Sequence, residues 1–400
     1  MTKMLCGYRV LDITQFVAGP TCSRLMAELG ADVIKVELTP IGDHARRSGL
    51  RSRKKEYANC TQSTYFAQHN HSKRSLAINL KSNKGQALIK KLIERSDVLV
   101  ENFAPGVIGR MGLSYEEVKK INPEIIMCSI SFAGQEGPLA NEPGFDYMAA
   151  AYAGITEMIG ENDRSPSQVS MAVGDSATGI SAAMAVVVAL LHRERTGEGQ
   201  FIDCSLLDTY LQMHEDYIPR VGLRGDAASP ERSGSQHPNG GPTGIFECGD
   251  GSFLQMMIMP YQWPRLLQAI GMPELEKDTR FNSPQNRRKN KYELQGIIEQ
   301  WMAKIGDRQD ILTILKNQRV PVAPVLTLQE AINHPHAIQR GAIRQIKDPF
   351  IGNFPIPGQP PIFSKWSHNN ELRAPLLGEH NEEILTTICG LDKGEIVALH

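Results

Sequence analysis

The sequence predicts an α/β fold with a doubly wound parallel sheet, and three observations predict it. Short apolar runs of strand length recur through the first half of the chain, at 8–14, 31–37, 73–79, 97–101 and 125–130. Segments with helical spacing of apolar residues separate them. Strands that alternate with helices return to the same sheet by right-handed crossovers, which makes the sheet parallel.

In chain order, residues 8–14 read as a buried strand and Val17-Ala-Gly-Pro20 as a turn with proline near the start of a helix. That helix, 21–29, sets Cys22, Leu25, Met26 and Leu29 on one face, and Gly30 ends it before the strand 31–37. The segment 40–63 is irregular and basic, with Arg46, Arg47, Arg51, Arg53, Lys54 and Lys55. A strand at 73–79 and a helix at 81–96 follow, the latter with Leu88, Ile89, Leu92 and Ile93 inward. After the strand 97–101 come short helices at 107–111 and 115–121, then the strand 125–130. Residues 147–155 form a small-residue helix, and a long one follows Asp175 and stops at Thr196-Gly197 with His192, Arg193 and Arg195 in its last turns. Basic residues suit the negative end of a helix dipole. A strand at 200–205 and a helix at 206–217 complete this half.

Residues 222–243 are rich in Gly, Ser and Pro and read as a linker. A hairpin around Asp250-Gly251 and helices at 262–270, 292–304 and 308–317 follow. The predicted domains are therefore 1–221 completed by 326–400, a linker at 222–243, and a smaller α+β domain at 244–325. The tail reads as helices at 328–333 and 381–389 joined by proline-rich loops.

Charge is balanced, 43 Lys+Arg against 44 Asp+Glu, so bulk attraction to nucleic acid or membrane is not expected. Seven cysteines in no CxxC pair suit a reducing compartment and a cytoplasmic location, and they argue against a disulfide framework or a zinc site. The first residues lead straight into a strand without a signal-peptide core. No apolar run approaches the roughly 18 residues of a membrane span without polar breaks, so no span is expected.

Motif searches remove several chemistries. The first turn carries only Gly19-Pro20, not G-x-G-x-x-G, so no NAD site is expected. No Walker A loop, no H-E-x-x-H and no G-x-S-x-G elbow is present. His69 and His71 are two apart on a loop, which is weak evidence for a metal, and none is expected. The basic segment 46–55, with Lys73, Arg74 and Lys81, is either a phosphate-binding surface or a solvated loop. Asp175, just before its helix, reads as a cap that accepts the free amides of the first turn; those amides would also keep it ionised.

Several separated stretches resemble the class III CoA-transferase (CaiB/BaiF) family, the family of formyl-CoA transferase and carnitine CoA-transferase. They include Leu11-Asp-Ile-Thr14 with Ala18-Gly-Pro20, Leu29-Gly-Ala-Asp-Val-Ile-Lys-Val-Glu37, and Lys73-Arg-Ser75. Asp97-Val-Leu-Val-Glu-Asn-Phe-Ala-Pro-Gly106, Gly144-Phe-Asp-Tyr147, Arg195-Thr-Gly-Glu-Gly-Gln200 and Arg373-Ala-Pro-Leu-Leu-Gly-Glu-His380 continue it nearly end to end.

The resemblance implies a Rossmann-like large domain that binds coenzyme A, a smaller domain, and two chains interlocked as a homodimer. Its catalytic Asp matches Asp175 in Gly-Asp-Ser-x-Thr-Gly. It implies transfer of CoA from an acyl-CoA donor to a carboxylic acid through an anhydride and an aspartyl-CoA thioester. CoA contacts carry over to Val17, Ala18, Ile78, Lys81, Asn102, Phe103, Arg110 and Met111. A glycine loop over the site corresponds to 239–244, with Gly240 and Gly241. Two positions depart from formyl-CoA transferase: Val17 replaces a glutamine and Leu38 a basic residue. The alternative on this fold is an α-methylacyl-CoA racemase, which uses a His where Phe145 stands here.

Overall fold

The computed structural model of the chain describes residues 3–52, 62–238, 240–366 and 372–397. It divides into two compact units. The first comprises 1–153, 169–213 and 334–400, and the second 154–168 and 214–333. The second unit thus begins earlier than the 222–243 linker and takes in a segment from before the long helix.

In the first unit the elements run β1 (Arg9–Asp12), α1 (Ala18–Glu28), β2 (Asp32–Leu38), α2 (Thr64–Asn70), β3 (Arg74–Ile78) and α3 (Asn83–Ile93). They continue as β4 (Val98–Glu101), α4 (Val107–Arg110), α5 (Tyr115–Ile121), β5 (Ile126–Ser131), α6 (Asp146–Tyr152), α7 (Val173–Thr196), β6 (Gln200–Ser205) and α8 (Leu206–Gln212). The six strands form one parallel sheet in the order β3-β2-β1-β4-β5-β6. Growth of the sheet reverses between β1 and β4, so a crevice opens outside their carboxyl ends. β4 and β5 are buried along their whole length. That explains why they read as continuous apolar runs rather than alternating ones.

α7 packs along α1, and Gly179 lets it do so. A Cβ at Gly179 would lie 2.5 Å from the Ala18 carbonyl oxygen and 2.7 Å from Thr21 Cβ. α7 begins at Val173, ahead of Asp175 rather than after it, so Asp175 is its third residue and not its cap. By length and composition, the 24 residues of α7 are also long and apolar enough to cross a bilayer, although Asp175, Ser176, Thr178 and Ser181 break the apolar run. Its buried side, with Thr178, Ala182, Ala183, Val186 and Leu190, belongs to the core of this unit.

The helix expected at 206–217 ends at Gln212, and α9 (Tyr217–Arg224) is a separate helix of the second unit. Part of the predicted linker is therefore ordered as helix, and a 3₁₀ turn follows at Gly225–Ala228. β7 (Thr243–Glu247), β8 (Phe253–Met257) and β9 (Val322–Pro324) make an antiparallel sheet. Around it lie α10 (Trp263–Ile270), α11 (Pro284–Lys289), α12 (Lys291–Ile305), α13 (Arg308–Asn317) and α14 (Leu328–Ile332). Phe246, Leu254, Phe281, Leu294 and Met302 form its core.

The chain re-enters the first unit through α15 (Pro335–Gln339). A hairpin of β10 (Ile343–Asp348) and β11 (Gly352–Pro357) stands where the prolines had suggested loops. Ile346 and Ile356 of the hairpin pack with Phe66, Ala67 and Leu372. α16 (Asn381–Thr387) and α17 (Lys393–Val397) close the unit, with Ile384 and Leu385 in the core beside α3.

Three of the cations that could have met phosphates are structural, whereas Arg47, Arg51 and Lys81 are exposed. Arg46 is fully buried and grips both oxygens of Glu37, at 2.7 Å each, under the Phe66 ring. Lys73 donates to Asp12 at 2.9 Å and Arg74 to Asp32 at 2.6 Å. Arg53, Lys54 and Lys55 lie outside the described residues. Removing Arg46 would strand Glu37 as a buried unpaired charge, and the loss of one partner of such a pair costs about 3–5 kcal/mol. Arg46→Ala is expected to lower the urea midpoint accordingly, measured by circular dichroism.

Candidate active site

A cavity of ≈ 530 Å³ lies in the first unit at the carboxyl ends of β1, β4 and β5. Its walls include Val17 and Ala18 from the β1–α1 turn, Asn102 and Phe103 after β4, and Asp175 from α7. Five of the residues singled out from the sequence thus meet in one place. Lys81, Phe103 and Met111 line a smaller hollow of ≈ 50 Å³ that shares Gln15 and Phe103 with the first. Ile78 instead lines a hollow of ≈ 1050 Å³ together with Asn381 and Leu385. Arg110 is exposed on α4 and lines none of these three. Gly240 and Gly241 precede β7 in the second unit, Gly241 against the backbone of Arg287. Asn239 lies outside the described residues.

The two loops of the crevice hold each other. Asn102 Oδ1 accepts the Gln15 N–H and its Nδ2 donates to the Gln15 carbonyl, both at 2.8 Å. The Asn102 side chain is therefore a brace for the β1–α1 turn. Phe16, next in that turn, has φ 64°, and its N–H donates to Asp43 Oδ1. After β4, the Phe103 N–H donates to Glu101 Oε2 at 2.8 Å. Burial pushes the Glu101 carboxyl up to about 7.

The start of α7 is built differently from the sequence expectation. Its N-cap, Ala172, has no side-chain acceptor. The Asp175 N–H donates to Asp146 Oδ2 at 2.7 Å, and the Gly174 N–H donates to the Tyr210 hydroxyl at 3.1 Å. Tyr210 in turn donates to Asp146 Oδ1 at 2.6 Å. The amides expected to hold Asp175 ionised are occupied by Asp146 and Tyr210. Burial, and then the Asp146 charge, push the Asp175 carboxyl from 3.8 up to about 7. Burial and then Asp175 itself push the Tyr65 phenol up from the other side of the cavity.

Sequence reasoning missed Tyr65 and Tyr210, and it used Asp146 and Tyr147 only as part of a resemblance. Tyr65 and Asp146 are 110 and 29 positions from Asp175, and no spacing rule links them. Phe145 is exposed and lines the cavity, so the place of the racemase histidine holds no proton carrier. No lysine or arginine among the described residues lines the cavity.

A family model, CoA-transferase family III, matches residues 5–381. Succinyl-CoA–D-citramalate CoA-transferase of Chloroflexus aurantiacus is 35% identical over 99% of this chain and 97% of its own length. Succinyl-CoA:glutarate CoA-transferase of Mus musculus is 33% identical over 99% of this chain and 89% of its own. A solved CAIB/BAIF family protein from Brucella suis superposes with a TM-score of 0.84 at 32% identity, covering 97% of this chain and 100% of that one.

The raised Asp175 carboxyl has a consequence for stability. Below pH 3.8 it is protonated both folded and unfolded, and above about 7 it is ionised in both. Between these values the fold favours the proton, so stability falls as pH rises through the window. Asp175→Asn, neutral and of the same shape, is expected to raise the urea midpoint at pH above 7 and to leave it unchanged near pH 4.

Proposed function

The chain belongs to CoA-transferase family III, and from that premise we propose that it moves CoA from an acyl-CoA thioester to a free carboxylic acid through covalent intermediates on Asp175. The observation that carries the proposal is the position of this carboxyl. It stands in the cavity at the sheet's switch point, between the two loops where the doubly wound architecture presents ligands.

In the proposed sequence Asp175 attacks the thioester carbonyl and expels CoA thiolate, leaving a mixed anhydride. The thiolate attacks the aspartyl carbonyl and expels the donor acid, leaving an aspartyl-CoA thioester. The incoming carboxylate attacks that thioester, expels the thiolate and forms a second anhydride. The thiolate then attacks the acceptor's acyl carbonyl, which releases the new thioester and restores Asp175. Each step exchanges one activated acyl bond for another, so no ATP is required.

The oxyanions need donors, and the amides of Gly174 and Asp175 are already engaged. We assign this role to the first turn of α1, where Val17 at the N-cap offers no side-chain acceptor and Ala18 faces the cavity. Phe103, Met111 and Lys81 in the adjoining hollow are placed to receive the CoA moiety. The relatives named for succinyl-CoA support succinyl-CoA as donor and a small dicarboxylate as acceptor.

We extend the reading to a cytoplasmic, interlocked homodimer. α7 exposes an apolar stripe of Ile180, Met184, Val187, Val188 and Leu191, a face suited to cover by a second copy. The six described cysteines are free thiols, in keeping with a reducing compartment.

Asp175→Ala is expected to abolish transfer while CoA still binds. Hydroxylamine added during turnover of the unaltered enzyme should leave a hydroxamate at Asp175, detected by mass spectrometry. Full transfer by Asp175→Ala would sink the mechanism.

A further inference from the structure

We infer that Asp146 and Tyr210 are positioning residues for Asp175: together they clamp the first turn of α7, consume its free amides, and leave the Asp175 carboxyl at the cavity without those donors. The inference rests on Asp175 being the nucleophile.

A helix N-terminus presents four amides without intrahelical partners. An acidic side chain at the third helical position commonly folds back to serve them, forming a capping box. Among the described residues this chain does so three times. In α5, Glu117 accepts from the Ser114 N–H at 3.1 Å, and in α14, Glu330 accepts from the Thr327 N–H at 2.7 Å. In α17, Glu395 accepts from the Asp392 N–H at 2.9 Å. Asp175 occupies the same third position in α7. Yet no hydrogen bond reaches its carboxyl among the described residues, and its own amide is given to Asp146. Serving the turn is thus delegated to residues from α6 and α8, which frees the local carboxylate.

The clamp is built, not incidental. Asp146 and Tyr210 are both buried, at 4% and 5% exposure. The Tyr210 hydroxyl accepts from Gly174 and donates to Asp146, so the phenol, the carboxylate and two successive amides close one ring of bonds. Gly174 makes room for it: a Cβ there would lie 2.2 Å from the Tyr210 ring. The glycine before the nucleophile is thereby explained by Tyr210.

The clamp has two effects on Asp175. It fixes the peptide from which the carboxyl projects, and near-attack geometry is sensitive to such placement. It also sets a buried negative charge beside the carboxyl. The titratable groups that face Asp175 are Asp146 from α6, Tyr210 from α8 and Tyr65 from α2, with Glu142 and Tyr147 on the cavity wall. None of these supplies positive charge. The carboxylate is a stronger base than a helix-capping one, and basicity favours attack.

The test uses Tyr210→Phe, which removes one hydroxyl, and Asp146→Asn, which removes the charge and keeps the shape. Succinyl-CoA and a free dicarboxylate serve as substrates from about pH 5 to about pH 9, a span that brackets the expected acid limb. In Tyr210→Phe, kcat should fall about tenfold while KM for the acyl-CoA stays within about twofold, as loss of positioning requires. In Asp146→Asn the acid limb of kcat should move to lower pH.

Carboxyl-¹³C aspartate NMR, with the Asp175 resonance identified by its loss in Asp175→Asn, should show the same downward shift of its titration. Gly174→Ala, which displaces Tyr210, should reproduce Tyr210→Phe and keeps the test available if Asp146→Asn does not fold. Variants with lowered melting temperature but unchanged kcat and an unmoved Asp175 titration would overturn the inference. If Asp175→Asn itself retained transfer, the nucleophile would be misassigned, whereas the NMR titration would still report whether the clamp controls this carboxyl.

Discussion

Asp12 and the two lysines that share it hold the first unit together beneath the cavity. Asp12 is fully buried at the end of β1. Lys73 from the start of β3 reaches it at 2.9 Å, and Lys35 from β2 at 3.7 Å. Lys35 also pairs with Asp43 at 3.0 Å and donates to the Thr14 carbonyl. Ser23 of α1 donates to the same aspartate at 2.7 Å. These groups tie three strands, α1 and the β1–α1 turn into one buried ionic lattice. Burial opposes the charge on Asp12, and the lysines reverse that effect and hold it well below the usual carboxylate range. Lys35, between two carboxylates, is pushed up, whereas Lys73 must share Asp12 and is pulled down by burial to about 8. Buried pairs of this kind add little net stability relative to apolar packing, but breaking one is costly. Their value here is geometric: they fix the turn that carries Val17 and Ala18 at the crevice.

The same sheet places its other polar resources at the opposite wall. α7 carries the small residues that let it lie against α1, so its first turn arrives close to the β1–α1 loop. The amides of that turn need acceptors, and Asp146 supplies a full negative charge where a neutral group would have served. The cost is a second carboxylate pushed toward neutrality. In a purely structural helix start this would be a defect, since nothing offsets it. Beside a cavity sized for a small ligand it is consistent with the proposed chemistry.

Strands were legible in the sequence because a parallel sheet buried on both faces writes unbroken apolar runs, as β4 and β5 do. The tail hairpin was not, because the prolines of β11 suggested loops, although a two-stranded edge tolerates them. Arg46 and Lys73 looked like surface cations because sequence carries no sign of the buried Glu37 and Asp12 that receive them. Asp175 was visible through its motif, but its role as a cap was wrong. The true acceptors sit on α6 and α8, and Tyr210 is 64 residues from Asp146. Local spacing cannot encode a contact made by folding three helices together.

The raised Asp175 carboxyl changes what the proposed exchange requires of it. In a mixed anhydride the less basic carboxylate leaves more readily. In the proposed exchange an Asp175 carboxyl near 7, set against ordinary substrate carboxyls at about 4, would direct the returning thiolate to the aspartyl carbonyl, with the donor acid as leaving group. That is the forward direction of the first half-reaction. The second half needs the reverse, with Asp175 leaving from the acceptor anhydride, and there the same basicity is a handicap. A carboxylate held by helix amides would leave easily but attack slowly. Burial and Asp146 place Asp175 on the attacking side of that trade. The last step must therefore draw on donors elsewhere in the cavity, with the amide of Ala18 in the first turn of α1 as the candidate the fold provides.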